Sequence, residues 1–303
     1  MSWIAAGRTV IDQGERTLTH IMTARTETTQ AEAARRAFRL GERYRDALDL
    51  PIAWNETLDT LLAHRSVRSF SPDPVPAGTI ELLVAAAQSA ASSSNLQPWS
   101  VVAIEDAELK ARLAALAGDQ EHIARAPLFL VWLIDLHRLE SIGKARGTPT
   151  DGLHYLETLL LGAVDTAIAA QNAVVALESL GLGAVYAGGI RNKPVEVARE
   201  LGLPPHVVAL VGLAIGFPDP GAPASVKPRL PQRAVLFREQ YRQGPDHAAI
   251  AAYDSRLRGF QRSQGMAERD WSEQATHRVR GAETLSGRHR MRDILLGLGF
   301  GLK

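Results

Sequence analysis

The sequence predicts an α+β fold in which one sheet is covered by helices, and three observations predict it. Four apolar runs with the density of strands stand between amphipathic or alanine-rich stretches of helical character. The two kinds of segment interleave without the regular strand–helix–strand period of a doubly wound sheet. The hydrophobic fraction, 46% of 303 residues, suffices for a sizeable core in one large domain or two ordinary ones.

Residues 1–53 read as a helical N-terminal extension, because charge is dense there and no strand pattern occurs. "TTQAEAARRAFRLGERYRDALDL" is rich in Ala, Arg, Glu and Leu, with Thr29 a candidate N-cap. Met22 offers an alternative start. The opening "MSWIAAGRTVIDQGERTLTH" has no continuous apolar region and no small-residue cleavage site, so no secretory signal is expected.

Residues 54–303 form the second expected domain. "ETLDTLLAHRS" is a short amphipathic helix, and "SPDPVPAGTIELLVAAAQSA" a proline-rich turn followed by a helix from about Ala77. "WSVVAIED" (Trp99 to Asp106) is the first strand. "AELKARLAALAG" is helical to a C′ glycine at Gly118. "APLFLVWLIDL" is a second strand, buried on both faces by its composition. The longest helix, Tyr155 to Leu180, is apolar on most faces and stops at Gly181 or Gly183. Its Asp165, Gln171 and Asn172 argue against a place in lipid. "GAVYAGGI" is a third strand entering a glycine turn, "NKPVEVARELGLPP" a short helix, and "HVVALVGLAIGFPDP" a fourth strand closed by Pro218 and Pro220. A loop and an Arg-rich helical tail follow.

Composition narrows the chemistry. With 34 basic and 33 acidic residues the net charge is +1, so the molecule as a whole is no polyanion binder and no nucleic-acid partner is expected. The absence of cysteine excludes disulfides, Fe–S clusters, thiolate zinc sites and a Cys nucleophile, and it fits a reducing, cytoplasmic setting. The nine histidines are never paired at ligand spacing, so no metal is expected. No dinucleotide fingerprint, P-loop, H-E-x-x-H or G-x-S-x-G occurs. "SIGK" matches S-x-x-K, but the companion elements of a penicillin-type nucleophile are missing.

Four polar stretches each end an apolar element. They are "HRSVRS" (His64 to Ser69), "ASSSNLQPW" (Ala91 to Trp99), "YAGGIRN" (Tyr186 to Asn192) and "KPRLP" (Lys227 to Pro231). Adjacent glycines let backbone approach a flat ligand, and flanking prolines stiffen a cationic segment. Any one of them is also an ordinary solvated loop. Arg65 and Arg68 have Glu56 or Asp59 as alternative partners, His64 could be a helix cap, and Gln97 with Trp99 could simply lock a loop onto the sheet.

In the order "HRSVRSF … SSSNLQPW … GDQEHIARAP … GLGAVYAGGIRN … KPRLP", from about Asn55 to the C-terminus, the chain resembles the FMN-dependent nitroreductase superfamily. It is most similar to the NADPH-preferring branch of oxygen-insensitive nitroreductases and flavin reductases. The resemblance implies a central, mostly antiparallel sheet flanked by helices and a domain-swapped homodimer with FMN at the interface. It places His64, Arg65, Ser66, Val67 and Arg68 at the FMN phosphate and ribityl chain, where Arg forks match phosphate oxygens. Lys227, Pro228 and Arg229 would contact the same cofactor, with the two cations stabilising charge near flavin N1 and O2. Ser92 would sit beside the flavin, Gln120 would reach it from the partner chain, and Tyr186, Ala187, Gly188 and Gly189 would lie along the isoalloxazine face. Asn95 would face the acceptor pocket. Asn95 and Pro98 follow the broader superfamily's N-x-Q-P-W pattern, which bears on acceptor preference.

The tail from Tyr253 carries nine arginines against six acids. Most read as a solvated helical face, but the resemblance implies a mobile Arg-bearing loop that binds the 2′-phosphate of NADPH. Arg262 and Arg288 match best, with Arg269 a further candidate. The implied chemistry is ping-pong: FMN takes a hydride from NADPH at N5 and delivers it to a nitroaromatic, quinone or flavin acceptor, with no protein acid or base required. Other flavin chemistry, or non-catalytic flavin binding, are the alternatives. The apolar surplus of the long helix fits a subunit interface or, alternatively, the centre of a monomer core.

Overall fold

Each of the four apolar runs becomes a strand in the computed structural model: β1 (Trp99–Ile104), β2 (Leu128–Asp135), β3 (Gly183–Ala187) and β4 (Val207–Gly216). They form one sheet in the order β1-β2-β4-β3, antiparallel at every pairing. The structure describes residues 30–48, 50–222 and 224–303. Thr29 and Met22, the expected cap and alternative start, lie outside them.

The sheet belongs to one of two units, His64–Ser225 with Arg269–Lys303. The strand period of two explains its layers. In β2, Leu128, Leu130 and Trp132 enter one apolar cluster while Phe129, Val131 and Leu133 enter another. The first cluster is covered by α3 (Thr79–Gln88) and α7 (Leu156–Ser179), through Leu83, Ala169, Ala173 and Leu177. The second is covered by α4 (Ala107–Leu116), α5 (Glu121–Arg125) and α8 (Pro194–Glu200), through Leu113, Ile123 and Val197. A third cluster joins Ile134 and Val208 to Leu295 and Phe300 near α11 (Met291–Gly297). The expected α+β class with helices on both faces of an antiparallel sheet is therefore what this unit contains.

Capping chemistry sets several boundaries. The Asp106 carboxylate accepts from Leu109 N at 2.7 Å and starts α4, a cap worth about 1 kcal/mol. α7 stops before Gly181, and Gly183 already belongs to β3, which resolves the two candidate stops. α3 starts at Thr79, two residues later than expected. The short α5 and the polar α6 (His137–Arg146) carry too weak an apolar period to be read from the sequence.

α7 is long and apolar enough to cross a membrane by length and composition alone. One face nonetheless buries Ala169, Ala170, Ala173, Val174 and Leu177 against the sheet, as expected of a core helix. Its other face exposes Leu156, Leu160, Val164 and Ile168, a stripe at four-residue spacing.

The second unit holds the described residues up to Ala63 together with Val226–Glu268. It contains α1 (residues 30–44), α2 (Glu56–Ala63) and α9 (His247–Ser263). Arg39 donates to both oxygens of Asp59, at 3.1 and 3.2 Å, and holds that carboxyl below the usual carboxylate range.

Candidate functional site

The segment His64–Ser71 runs extended because its backbone is hydrogen-bonded to the sheet. Val67 N donates to Ala184 O and Ser71 N to Phe217 O, both at 2.9 Å, and Ser66 pairs with Ala184 in parallel register. Val67 is 2% exposed and presses on Gly183, where a Cβ would lie 2.6 Å from Val67 Cγ2. Burying Val67 leaves its neighbours Ser66 and Arg68 exposed. Two of the polar stretches thus come together along β3.

Within this segment the side chains divide by partner. His64 Nδ1 lies 2.7 Å from Glu178 Oε1 on α7. Arg65 and Arg68 form no ion pair with any described residue. Asp59, one alternative partner, is taken by Arg39. Arg68 instead lies near His122 on α5, whose buried Nε2 has no hydrogen-bond partner. Burial, then the Arg68 charge, pushes the His122 pKa down from its ordinary value.

β3 carries Tyr186 and Ala187 to a 3-10 turn, Gly188–Arg191. Burial raises the Tyr186 phenol and the Glu178 charge adds to it; the hydroxyl donates to Gln171 Oε1 at 3.4 Å. Gly189 has no room for a side chain, since a Cβ would meet Ala117 O at 2.2 Å and Gln120 Nε2 at 2.4 Å. Gln120 is engaged within its own chain, its amide donating to Ala117 O at 3.2 Å, alongside Asn192 Nδ2 at 3.1 Å. Gly188 is open. The nearest atoms to a Cβ there are Arg191 Nη2 at 3.5 Å and Arg288 Nη1 at 4.0 Å.

That pair of guanidiniums is the electropositive feature of the turn. Arg191 donates to Leu210 O, and Arg288 Nε donates to Asn192 Oδ1 at 3.0 Å. Burial lowers the pKa of both; the Arg288 charge acts further on Arg191, and that of Arg278 on Arg288. Arg191 has no role among the sequence expectations; its position after a double glycine at a strand end is the signal that marks it.

In the stretch before β1, Ser92 Oγ donates to Asp165 Oδ2 at 2.8 Å and accepts from Gln97 N at 2.9 Å. Ser93 N adds bonds to both Asp165 oxygens, at 3.3 and 3.2 Å. Asp165, 3% exposed on α7, is therefore the anchor of this loop, and Ser92 spends its hydroxyl inside the chain. Ser94, Asn95 and Gln97 have φ of 48°, 55° and 50°, left-handed backbone that costs roughly 1 kcal/mol or more for a non-glycine residue. Asn95 is exposed and held by Gln97 Nε2 at 3.2 Å. Arg138 donates to Gln97 O at 2.9 Å and Trp99 packs on Trp132 at 5.6 Å, which joins the loop to α6 and β2.

Lys227, Pro228 and Arg229 lie in the other unit, with Pro228 buried and both cations exposed. Tyr253 Oη donates to Pro228 O at 2.9 Å. Arg262, in that same unit, is matched by Glu268 through two bonds of 2.9 and 2.8 Å. Arg269 belongs to the sheet-bearing unit and lines a cavity with His277, Arg278 and Arg280. Arg288, one of the three tail arginines expected at a nucleotide phosphate, stands beside the glycine turn.

The donor set fits a cofactor with a phosphate and a flat ring. Among the described residues Arg65 and Arg68 have no carboxylate partner and the buried His122 Nε2 no hydrogen-bond partner, and Gly188 leaves an open backbone face. Among the described residues no group of three or more His, Asp or Glu could hold a metal.

The Nitroreductase family model matches residues 61–217, and that of the Nitroreductase family, C-terminal domain, matches residues 227–303. The chain is 42% identical over 219 residues to an oxygen-insensitive NADPH nitroreductase of Salmonella typhimurium, covering 72% of this chain and 88% of the relative. It is 37% identical over 225 residues to an FMN reductase (NADPH) of Bacillus subtilis, covering 73% and 90%. Among solved structures, the NADPH:FMN oxidoreductase from Vibrio harveyi complexed with NAD+ superposes with a TM-score of 0.73 at 35% identity, covering 82% of this chain and 100% of that one.

Proposed function

The chain belongs to the Nitroreductase family, and from that premise we propose that it is an FMN-dependent NADPH oxidoreductase reducing nitroaromatic, quinone or flavin acceptors. The observation that carries the reading is the pairing of "HRSVRS" with β3 through Val67 N and Ala184 O. It sets Arg65 and Arg68, which have no ion pair among the described residues, next to the strand that leads into Gly188 and Gly189. The names of the relatives, an NADPH nitroreductase and an NADPH-dependent FMN reductase, support the same activity.

Bound FMN supplies the hydride chemistry, accepting from NADPH and donating to the acceptor in turn. His64, Arg65, Ser66 and Arg68 bind its phosphate and ribityl chain, and Tyr186 to Gly189 line its ring. Lys227 and Arg229 are assigned to the same cofactor on the resemblance. His64 is oriented by Glu178 and the loop bearing Asn95 by Asp165, so the residues that would touch ligands are pre-positioned. Arg288 is the favoured partner of the NADPH 2′-phosphate. Its Nε is held by a neutral amide, whereas Arg262 would have to release Glu268.

The apolar stripe Leu156, Leu160, Val164 and Ile168 supports a homodimer that buries it. A cytoplasmic setting fits the same reading, and residues 1–53 remain an extension before the enzymatic domain.

The deciding experiment is the absorption spectrum of freshly purified protein, with release of its chromophore and NADPH oxidation by a quinone. FMN at about one per chain and ping-pong turnover are expected. Arg288→Ala should raise KM for NADPH by about tenfold with little change for NADH. A colourless protein that fails to take up added FMN would overturn the assignment.

A further inference from the structure

We propose that Arg43, near the C-terminal end of α1, is a positioning residue that presets the cationic segment Lys227–Arg229 for the cofactor. The inference rests on the reading that Lys227 and Arg229 contact FMN.

Arg43 is 7% exposed, a degree of burial unusual for a guanidinium. Its Nη1 donates to Lys227 O and its Nη2 to Leu62 O, each at 3.0 Å. Its own carbonyl accepts from Arg229 N at 3.0 Å, so one residue grips the segment at both ends. Arg45 Nη2 adds a bond to Val226 O at 3.4 Å. Asp46 pairs with Arg256 and ties the end of α1 to α9, the helix whose Tyr253 holds Pro228 O.

Lys227–Arg229 lies outside the helices and strands, so its backbone polar groups need partners from elsewhere. Arg43 and Tyr253 supply them, with Arg229 Nη1 adding bonds to the Lys227 and Pro228 carbonyls at 3.2 and 3.3 Å: both carbonyls and the amide of Arg229 are engaged, while Lys227 and Arg229 stay exposed. A segment ordered before its ligand arrives loses less conformational entropy on binding. α1 lies outside both matched family spans, residues 61–217 and 227–303, so this clamp is a property of the extension. The extension thereby acquires a function: it stiffens one wall of cofactor binding without touching the cofactor.

The test uses the full-length apoprotein and the FMN Kd, read from quenching of flavin fluorescence, with far-UV circular dichroism as the folding control. Arg43→Met should weaken FMN by about tenfold, because the Leu62 and Lys227 carbonyls lose the guanidinium that joins them, Lys227 O keeping the bond from Arg229 Nη1 at 3.2 Å, and the segment loosens. Arg43→Lys keeps the charge but replaces the two-pronged guanidinium by a single nitrogen that reaches both carbonyls less well, and it should give a smaller loss of a few-fold. In a Lys227→Ala/Arg229→Ala background the Arg43 substitutions should have no further effect, since Arg43 acts through those side chains. Equal weakening in both backgrounds, or a wild-type Kd in Arg43→Lys and in any folded Arg43→Met, overturns the positioning role. A wild-type Kd in Lys227→Ala/Arg229→Ala overturns the cofactor contact of these cations, and the positioning role falls with it.

Discussion

His122 shows how a single residue reports on the site. Its pKa is held below the ordinary value of 6.5 by burial first and by the Arg68 charge second. The unfolded chain therefore takes up this proton more readily than the folded one. Stability from this group is complete above 6.5 and is lost as pH falls through the lower folded value. Thermal melts of the apoprotein should show Tm falling on acidification below 6.5, and the fall should be shallower in His122→Gln. Identical pH profiles would show that His122 carries none of the effect. "GDQEHIARAP" is part of the family pattern, but nothing local in it marks His122, because its burial follows from how α5 packs.

At the scale of elements, short turns decide where ligand-facing groups go. The glycines of "YAGGIRN" were legible as a close-approach signal, yet their roles differ. Gly189 is closed by Ala117 O and Gln120 Nε2, whereas Gly188 faces open space bordered by Arg191 and Arg288. Gly189→Ala should destabilise by about 1–3 kcal/mol, as overpacking does. Gly188→Ala should keep the wild-type Tm within error and act on ligand affinity alone. Chemical denaturation of both variants checks this, and equal stability of the two would refute the distinction. The loop before β1 gives the complementary case. Its hydroxyl run was visible, but the anchor Asp165 lies over seventy positions away on α7 and reads in sequence only as a polar residue in an apolar helix. Arg262 is a third: it matched an arginine of the nucleotide loop, and Glu268, six residues on, occupies its guanidinium.

For the whole molecule, the open question is what covers the outer face of α7. Leu156, Leu160, Val164 and Ile168 are 47%, 53%, 59% and 37% exposed, a continuous stripe on a helix whose opposite face is core. In a two-fold dimer Leu160→Glu is introduced twice, and each buried leucine contributes about 1.5–3 kcal/mol. The substitution should shift the dimer–monomer equilibrium by at least about 3 kcal/mol and weaken FMN binding with it. Sedimentation velocity reads the outcome. A variant that sediments as wild type would refute the burial of this stripe in a homodimer.

The sequence by itself determined the α+β class, all four strands, the longest helix and the polar stretches that make the chain resemble its family. Each of these is written in local pattern: apolar runs, a 3.6-residue period, capping residues and short ordered motifs. Tertiary structure decided which donors were already spent. It showed Ser92 bound to Asp165, His64 to Glu178 and Arg262 to Glu268, while Arg65 and Arg68 keep no ion pair among the described residues. It also turned Arg43 from one charge among many into a buried clamp. The physical reason is that a hydrogen bond is set by distance in space, and these partners are from 6 to 184 residues apart in the chain.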